Sequence, residues 1–317
     1  MGLLLLLGLP PEVAAQDPIA LLERMAEASH LLNYDGVFVY RRAGSSDSMR
    51  IINRSSLEGG AERLMSLSGE SREVIRDARG VRCYLPKMGE MRLLRDSPRP
   101  LLPTEVTRPW AQIAEFYTFN LEGVDRVAGR TAQVVTVNPR TPDRYGYRLW
   151  MDTATGLLLR SDLMNGEGVI LEQVEFLSLE LPERIADELL QPGGAHGVAE
   201  HGPVHAVEGV VGEEGRPHTS EWRADWLPAG FRLERAQQLT HGADGPPFQH
   251  LAFSDGLTVL SVFVEAAGHA PAGASGFAVL GAAVAYSKES DGHTVTVVGE
   301  APPLTVRRVA ESMTRSR

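Results

Sequence analysis

The side chains of this chain that could do chemistry by type and spacing are few. His196, His201 and His205, with Glu200 among them, have the donor types that zinc takes. A zinc site also needs a rigid scaffold and groups that orient each imidazole. These residues sit instead in GGAHGVAEHGPVHAVEGVVGEEG, a stretch rich in glycine and poor in large apolar side chains. No metal and no other cofactor is expected. Nucleophile motifs are no better represented. There is no G-x-S-x-G elbow, and Ser254-Asp255-Gly256 lacks the accompanying S-x-x-K lysine, so it reads as a turn between strands. Gly166 and Gly168 fall in a strand-to-strand turn, not at the strand-to-helix junction that cradles a phosphate. The 41 carboxylates allow some acid and base pair to be named, but nothing in the sequence selects one. Cys83, the single cysteine, cannot form an internal disulfide and reads as a small buried hydrophobe. No catalytic residue is nominated, and the chain is expected not to be an enzyme. A hydrolase with residues scattered in sequence is the rival from another class, and it predicts turnover of an ester or glycan.

The more telling residues are apolar and aromatic. Phe38, Tyr40, Tyr84, Trp150 and Met151 fall in strand-like runs. A sheet curling round a helix could bury them as ordinary core or as the wall of an elongated greasy pocket. Arg41, Arg42, Arg50 and Arg54 cluster near the first of these runs, as a solvated surface or as a rim for anionic head groups.

Several elements must position these residues. A length of 317 residues favours two domains. The 32 glycines and 20 prolines point to many turns and a β-rich fold. A net charge of -10 argues against a phosphate-backbone binder, so nucleic acid is not an expected partner. Lys87 and Lys288 are the only lysines; the arginine bias suits bidentate grip on carboxylates or phosphates, and codon usage would produce the same bias. The start, MGLLLLLGLPPEVAA, has the apolar run and the small residues Val13 and Ala15 of a signal peptide over 1–15, without the usual basic beginning. No later segment reaches the roughly 18 apolar residues of a membrane span.

Asp17 and Pro18 open a helix whose stripe is Leu21, Met25, Ala28 and Leu32. Asp35-Gly36 is read as a turn into a strand over 37–40. Strands follow at 49–54, 73–76 and 81–85, with a helical interruption after Pro109 in which Trp110, Ile113, Ala114 and Tyr117 share a face. Further strands are expected at 133–137, 145–152, 157–164 and 169–179, with Asn165-Gly166 as a hairpin turn of positive φ. One helix beside a long antiparallel meander results, over residues 16–191. A flexible linker is assigned to 192–217 and a smaller domain to 218–317. Its strands are expected at 232–239, 251–253, 257–265, 278–286 and 293–298, and a final helix capped by Thr305 carries Val306, Val309, Ala310 and Met313.

The segments LLNYDGVFVYRRAG, YGYRLWMDTATGLLLRSDLMNGEGVILEQVEF, WLPAGF, FSDGLTVLSVFVE and VTVVGEAPPLTVRRVAESM together resemble the RseB/MucB family of periplasmic sigma-E regulators, in matching order from Asp17 to Met313. The resemblance implies an α+β, mainly antiparallel fold. Its N-terminal domain would be an unclosed β-barrel wrapped over helices, like the lipoprotein carriers, and its C-terminal domain a smaller α+β unit. It implies a periplasmic protein that binds the periplasmic region of a membrane-spanning anti-sigma factor and shields it from proteolysis. Lipid or lipopolysaccharide, signalling envelope stress, would release it, and the linker would let the domains reorient. On that basis Phe38, Tyr40, Tyr84 and Trp150 are nominated for a lipid-facing interior. Trp226, Phe231, Phe253 and Phe263 are nominated as partner-facing or core positions. A lipid or lipoprotein carrier is the alternative, and a homo-oligomer is left open.

Overall fold

A computed structural model describes residues 17–56, 60–78, 80–85, 89–93, 106–193, 220–240, 245–267 and 276–315. The leader at 1–15, nearly all of the linker at 192–217 and the quartet His196, Glu200, His201 and His205 lie outside the described residues.

Helix α1 (Pro18–Leu31) begins where the Asp17 carboxylate accepts the Ile19 N–H at 3.0 Å and Pro18 takes the first turn. Its buried stripe is Leu22, Met25 and Ala28. A meander follows: β1 (Tyr34–Arg42), β2 (Ser45–Arg54), β3 (Ala61–Ser66), β4 (Glu73–Asp77), β5 (Gly80–Leu85) and β6 (Gly89–Leu93). After the short α2 (Trp110–Ile113) a second meander runs through β7 (Tyr117–Val127), β8 (Arg130–Pro139), β9 (Gly146–Asp152), β10 (Leu158–Met164) and β11 (Ile170–Glu180). Antiparallel pairing of β1 with β11 fuses the two into one eleven-stranded sheet, ordered β6-β5-β4-β3-β2-β1-β11-β10-β9-β8-β7. Strands β6 and β7 are its edges, so the sheet stays open.

One face of this sheet, the inner face, packs on the helices. Leu22, Met25, Trp110 and Ile113 meet Val135, Val137, Tyr147 and Leu149. Ala28 meets Phe38, Tyr40, Met49, Ile51, Val174 and Phe176. Burying each such side chain contributes about 1.5–3 kcal/mol, so α1 and α2 hold the inner face by apolar packing. On the opposite face Ile185 and Leu190, around a 3-10 turn at Asp187–Leu190, cover Ile52 and Ala61.

The second domain holds β12 (Trp222–Ala224), β13 (Arg232–Thr240), β14 (Pro247–Ser254), β15 (Val259–Ala266), β16 (Gly276–Leu280), β17 (Ala283–Ser290), β18 (His293–Gly299), α3 (Pro303–Ser312) and β19 (Met313–Arg315). Six strands make an antiparallel sheet, β13-β14-β15-β18-β17-β16, and β12 pairs with β19. Val306, Val309 and Ala310 of α3 pack on Leu251, Val262, Val295 and Val297. The mainly antiparallel α+β fold, with an open sheet wrapped over helices and a smaller second sheet, is the architecture expected.

Local expectations fail in five places. Asp35 and Gly36 are inside β1, not in a turn. A Cβ on Gly36 would come within 2.5 Å of the Phe176 ring, so close packing and not chain reversal requires that glycine. The Asn165 turn works through its side chain, which accepts the Glu167 and Val169 N–H groups, and the left-handed residue is Gly168. The helix after Pro109 stops at Ile113, and Tyr117 already belongs to β7. The stretch 278–286 is two strands, β16 and β17, hinged at Gly281 with φ +63. Thr305 is buried inside α3, whose N-cap is Pro302.

Candidate functional site

Strand register sorts the nominated aromatics. Tyr40, Phe38 and Gly36 of β1 share the inner face with Met49 and Ile51 of β2 and with Val174 and Phe176 of β11. The row continues by direct pairing from Ile51 to Leu64, then Val74, then Cys83. Phe38 is 1% exposed and its ring centroid lies 5.6 Å from that of Phe176, whereas Leu64, Val74 and Cys83 are half-buried. The row therefore opens towards β5, and burial pushes the Cys83 thiol pKa up, so the group stays a neutral apolar lining.

Tyr84 and Trp150 stand on the other face. Tyr84 pairs with Glu73, whose buried carboxylate is gripped by Arg63 and accepts the Gly193 N–H at 3.1 Å. Trp150 alternates with the inner-face Leu149 and Met151. Its Nε1 donates to Asp125 at 2.9 Å, and the guanidinium carbons of Arg160 and Arg148 lie 4.2 and 5.3 Å from its ring. Arg160 grips Asp162 through two bonds of 2.9 and 2.7 Å, Gln173 donates to Asp162, and Arg41 bonds Gln173 and Glu175. A polar lattice thus covers this face. The structure brings Phe38 and Tyr40 together and separates Tyr84 and Trp150 from them. The clustered arginines are engaged as well: Arg50 with Asp35, Arg54 with Asp187, and Arg42 over the Tyr40 ring at 5.4 Å.

The two domains meet through buried polar contacts that sequence reading did not foresee. Arg144 donates to Asp255 at 2.5 Å, and Tyr117 donates to the same oxygen at 2.9 Å. The other Asp255 oxygen accepts the Leu257 and Thr258 N–H groups, which makes the expected Ser254-Asp255-Gly256 turn. Burial, followed by the Asp255 charge, raises the Tyr117 pKa well beyond the ordinary phenol range, so its hydroxyl remains a donor. Arg108 donates to the Gly230 and Ser254 carbonyls and to Glu234. Leu257 and Ala282 of the second domain complete the core beneath α1 and α2. Reorientation of the domains would have to break this seam.

Of the second-domain nominees, Phe231 and Phe253 are buried in the core under α3, and Trp226 packs at its margin with Arg308 3.9 Å from its ring. Phe263 lies on the other face, stacked on His250 at 4.8 Å and 9°. Burial, and then Arg235, lowers the His250 pKa, so a neutral ring lies against Phe263. Among the described residues β16 is the sheet's edge strand and exposes Phe277, Val279 and Leu280, 49%, 63% and 60% accessible, where the sequence pattern predicts a single strand over 278–286.

These features define a class of protein: a two-domain scaffold that offers apolar and edge-strand surfaces. Among the described residues no group of three His, Cys, Asp or Glu could hold a metal ion, and no helix is long and apolar enough to cross a membrane. The chain belongs to the MucB/RseB family, whose N-terminal domain matches residues 17–193 and whose C-terminal domain matches residues 216–314. It is 37% identical to the sigma factor AlgU regulatory protein MucB of Pseudomonas aeruginosa, over 98% of this chain and 96% of that one. It is 30% identical to the sigma-E factor regulatory protein RseB of Salmonella typhimurium, over 95% and 92% of the two chains. The solved complex of Pseudomonas aeruginosa MucA and MucB superposes with a TM-score of 0.74 at 33% identity, covering 95% of this chain and all of that one. A crystal structure of MucB with MucA(peri) gives 0.72 at 32% identity, again over 95% and 100%. The relatives are regulatory proteins by name, in line with the expectation of a regulator.

Proposed function

We propose that this chain is a periplasmic regulator that binds the periplasmic region of a membrane-spanning anti-sigma factor and protects it from regulated proteolysis. Lipid or lipopolysaccharide releases it under envelope stress. The observation that carries the reading is the full-length likeness, in sequence and fold, to a MucB solved in complex with MucA.

The geometry supplies a physical route. The acyl chain lies along the inner-face row, with Phe38 and Tyr40 at its buried end and Leu64, Val74 and Cys83 at its open end. Trp226 and Phe263, half-buried at the margin of the second core and on the sheet face opposite α3, are the partner-facing pair, and Phe231 and Phe253 support them from the core. Because binding linkage is reciprocal, a lipid that favours the free regulator weakens the partner by the same factor that the partner weakens the lipid; about 3 kcal/mol of coupling gives a hundredfold. A carrier of lipids accounts for the apolar row but not for a second domain locked to it through Arg144 and Asp255.

The test is proteolysis of the anti-sigma periplasmic segment with and without the purified full chain. Protection that disappears on adding lipopolysaccharide is expected. Equal cleavage at saturating regulator would defeat the proposal.

A further inference from the structure

Glu172 of β11 sits where the inner face of the first sheet reaches the second domain. One carboxylate oxygen accepts the Tyr40 hydroxyl at 2.6 Å, and the other accepts the Ala282 N–H at 2.9 Å. Gly281 and Ala282 form the turn between β16 and β17, and a Cβ on Gly281 would run into both Glu172 and the stem of Arg42. The Arg42 guanidinium in turn lies over the Tyr40 ring. Tyr40 is two residues from Phe38 on the apolar row, and Ala282 is buried. Burial first, and Glu172 second, hold the Tyr40 phenol protonated, so the hydroxyl always donates.

A carboxylate shared between two donors responds when either is moved, because each charge-assisted bond is strong and half-buried Glu172 holds one with each oxygen. An acyl chain seated against Phe38 must shift the neighbouring Tyr40 ring in a core packed this closely. Glu172 then loses one donor, and its hold on the Ala282 turn changes. That turn sets the position of β16, the strand that exposes Phe277, Val279 and Leu280. We propose that Glu172 is a positioning residue through which occupation of the inner-face row is transmitted to the β16–β17 hairpin. The inference rests on the preceding reading, in which lipid and partner bind antagonistically.

The test measures the affinity of the full chain for the anti-sigma periplasmic segment, with and without saturating hexadecanoyl lysophosphatidylglycerol. Wild type, Tyr40→Phe, Glu172→Gln and the opposite-face control Trp150→Phe are compared. In wild type and the control the lipid is expected to weaken the partner about tenfold or more, within the usual range of allosteric coupling. In Glu172→Gln each ligand alone still binds, and the coupling falls below about twofold; Tyr40→Phe, whose ring lines the row, changes lipid affinity itself and is read only for the same fall in coupling. A purely structural role would lower both affinities and leave their ratio unchanged. Unchanged coupling in both variants overturns the role of Glu172 and leaves the antagonism standing; absence of coupling in wild type overturns both. Amide exchange at Ala282 in the wild type gives a readout that needs no variant. Faster exchange on adding the lipid is expected, and identical exchange counts against the link.

Discussion

Arg144 of the first domain and Asp255 of the second form an ion pair of 2.5 Å with side chains 1% and 0% exposed. Removing one partner of such a pair leaves a buried charge and costs about 3–5 kcal/mol. Asp255→Ala also strips acceptors from Leu257, Thr258 and Tyr117, whereas Arg144→Met keeps an apolar stem among Phe116, Tyr117 and Phe231. Asp255→Ala is therefore the more damaging of the two in urea unfolding. Equal losses would mean that the turn bonds contribute nothing.

Gly230 faces the same seam from the second domain. Its φ of +88° lies in the left-handed region, and a Cβ there would meet the Phe116 ring at 2.5–2.7 Å. Gly230→Ala is expected to loosen domain docking while leaving both cores intact. Unfolding would then split from one transition into two, and a single unshifted transition would contradict the expectation.

Acid acts on the seam through Glu234. The Arg108 hydrogen bond, against a smaller opposing effect of burial, holds its carboxyl below the usual glutamate range. A depressed folded pKa means that the contact stabilises fully above the unfolded value of about 4.3 and is lost as pH falls through the lower folded value. The Thr107 N–H donates to the Gly256 carbonyl across the seam, and its protection relative to the intrinsic exchange rate should fall below about pH 4.3 in wild type. In Glu234→Gln that step should be absent.

The two faces of the first sheet predict opposite behaviour for two aromatics. Phe38→Ala removes an inner-face ring and is expected to cost about 3–5 kcal/mol and to weaken an acyl-chain probe. Trp150→Ala opens the polar lattice around Arg160 and destabilises by a similar amount, but leaves probe affinity within about twofold once both variants are measured well below their melting points. Equal loss of probe binding in both would place the acyl chain elsewhere.

The elements with strong local patterns were legible in the sequence. The α1 pattern announced the helix, although its buried stripe runs through Leu22, Met25 and Ala28, with Leu21 half-buried and Leu32 at the C-cap, and the alternation of Thr294 to Val297 announced a strand. Strand β7 was not, because an edge strand with Leu121, Val124 and several charges exposed on both faces has no period to read. The Gly281-Ala282 hinge hid inside an unbroken run of small apolar residues. Which face an aromatic takes depends on register, and bulges at Val37/Phe38 and Leu158/Arg160 shift it without any mark in the sequence. Phe38 and Tyr40 could thus be nominated together, but nothing local set Tyr84 and Trp150 apart. The turn at Asp255 was readable from Ser-Asp-Gly; its partner, 111 residues away, was not.

Leu257 and Ala282 plug the first hydrophobic core from outside its own stretch of chain. A polypeptide threaded amino end first has every strand of its first sheet but holds one end of the core beneath it uncovered until its last third arrives. Any fragment lacking the second domain keeps those same apolar side chains bare to solvent.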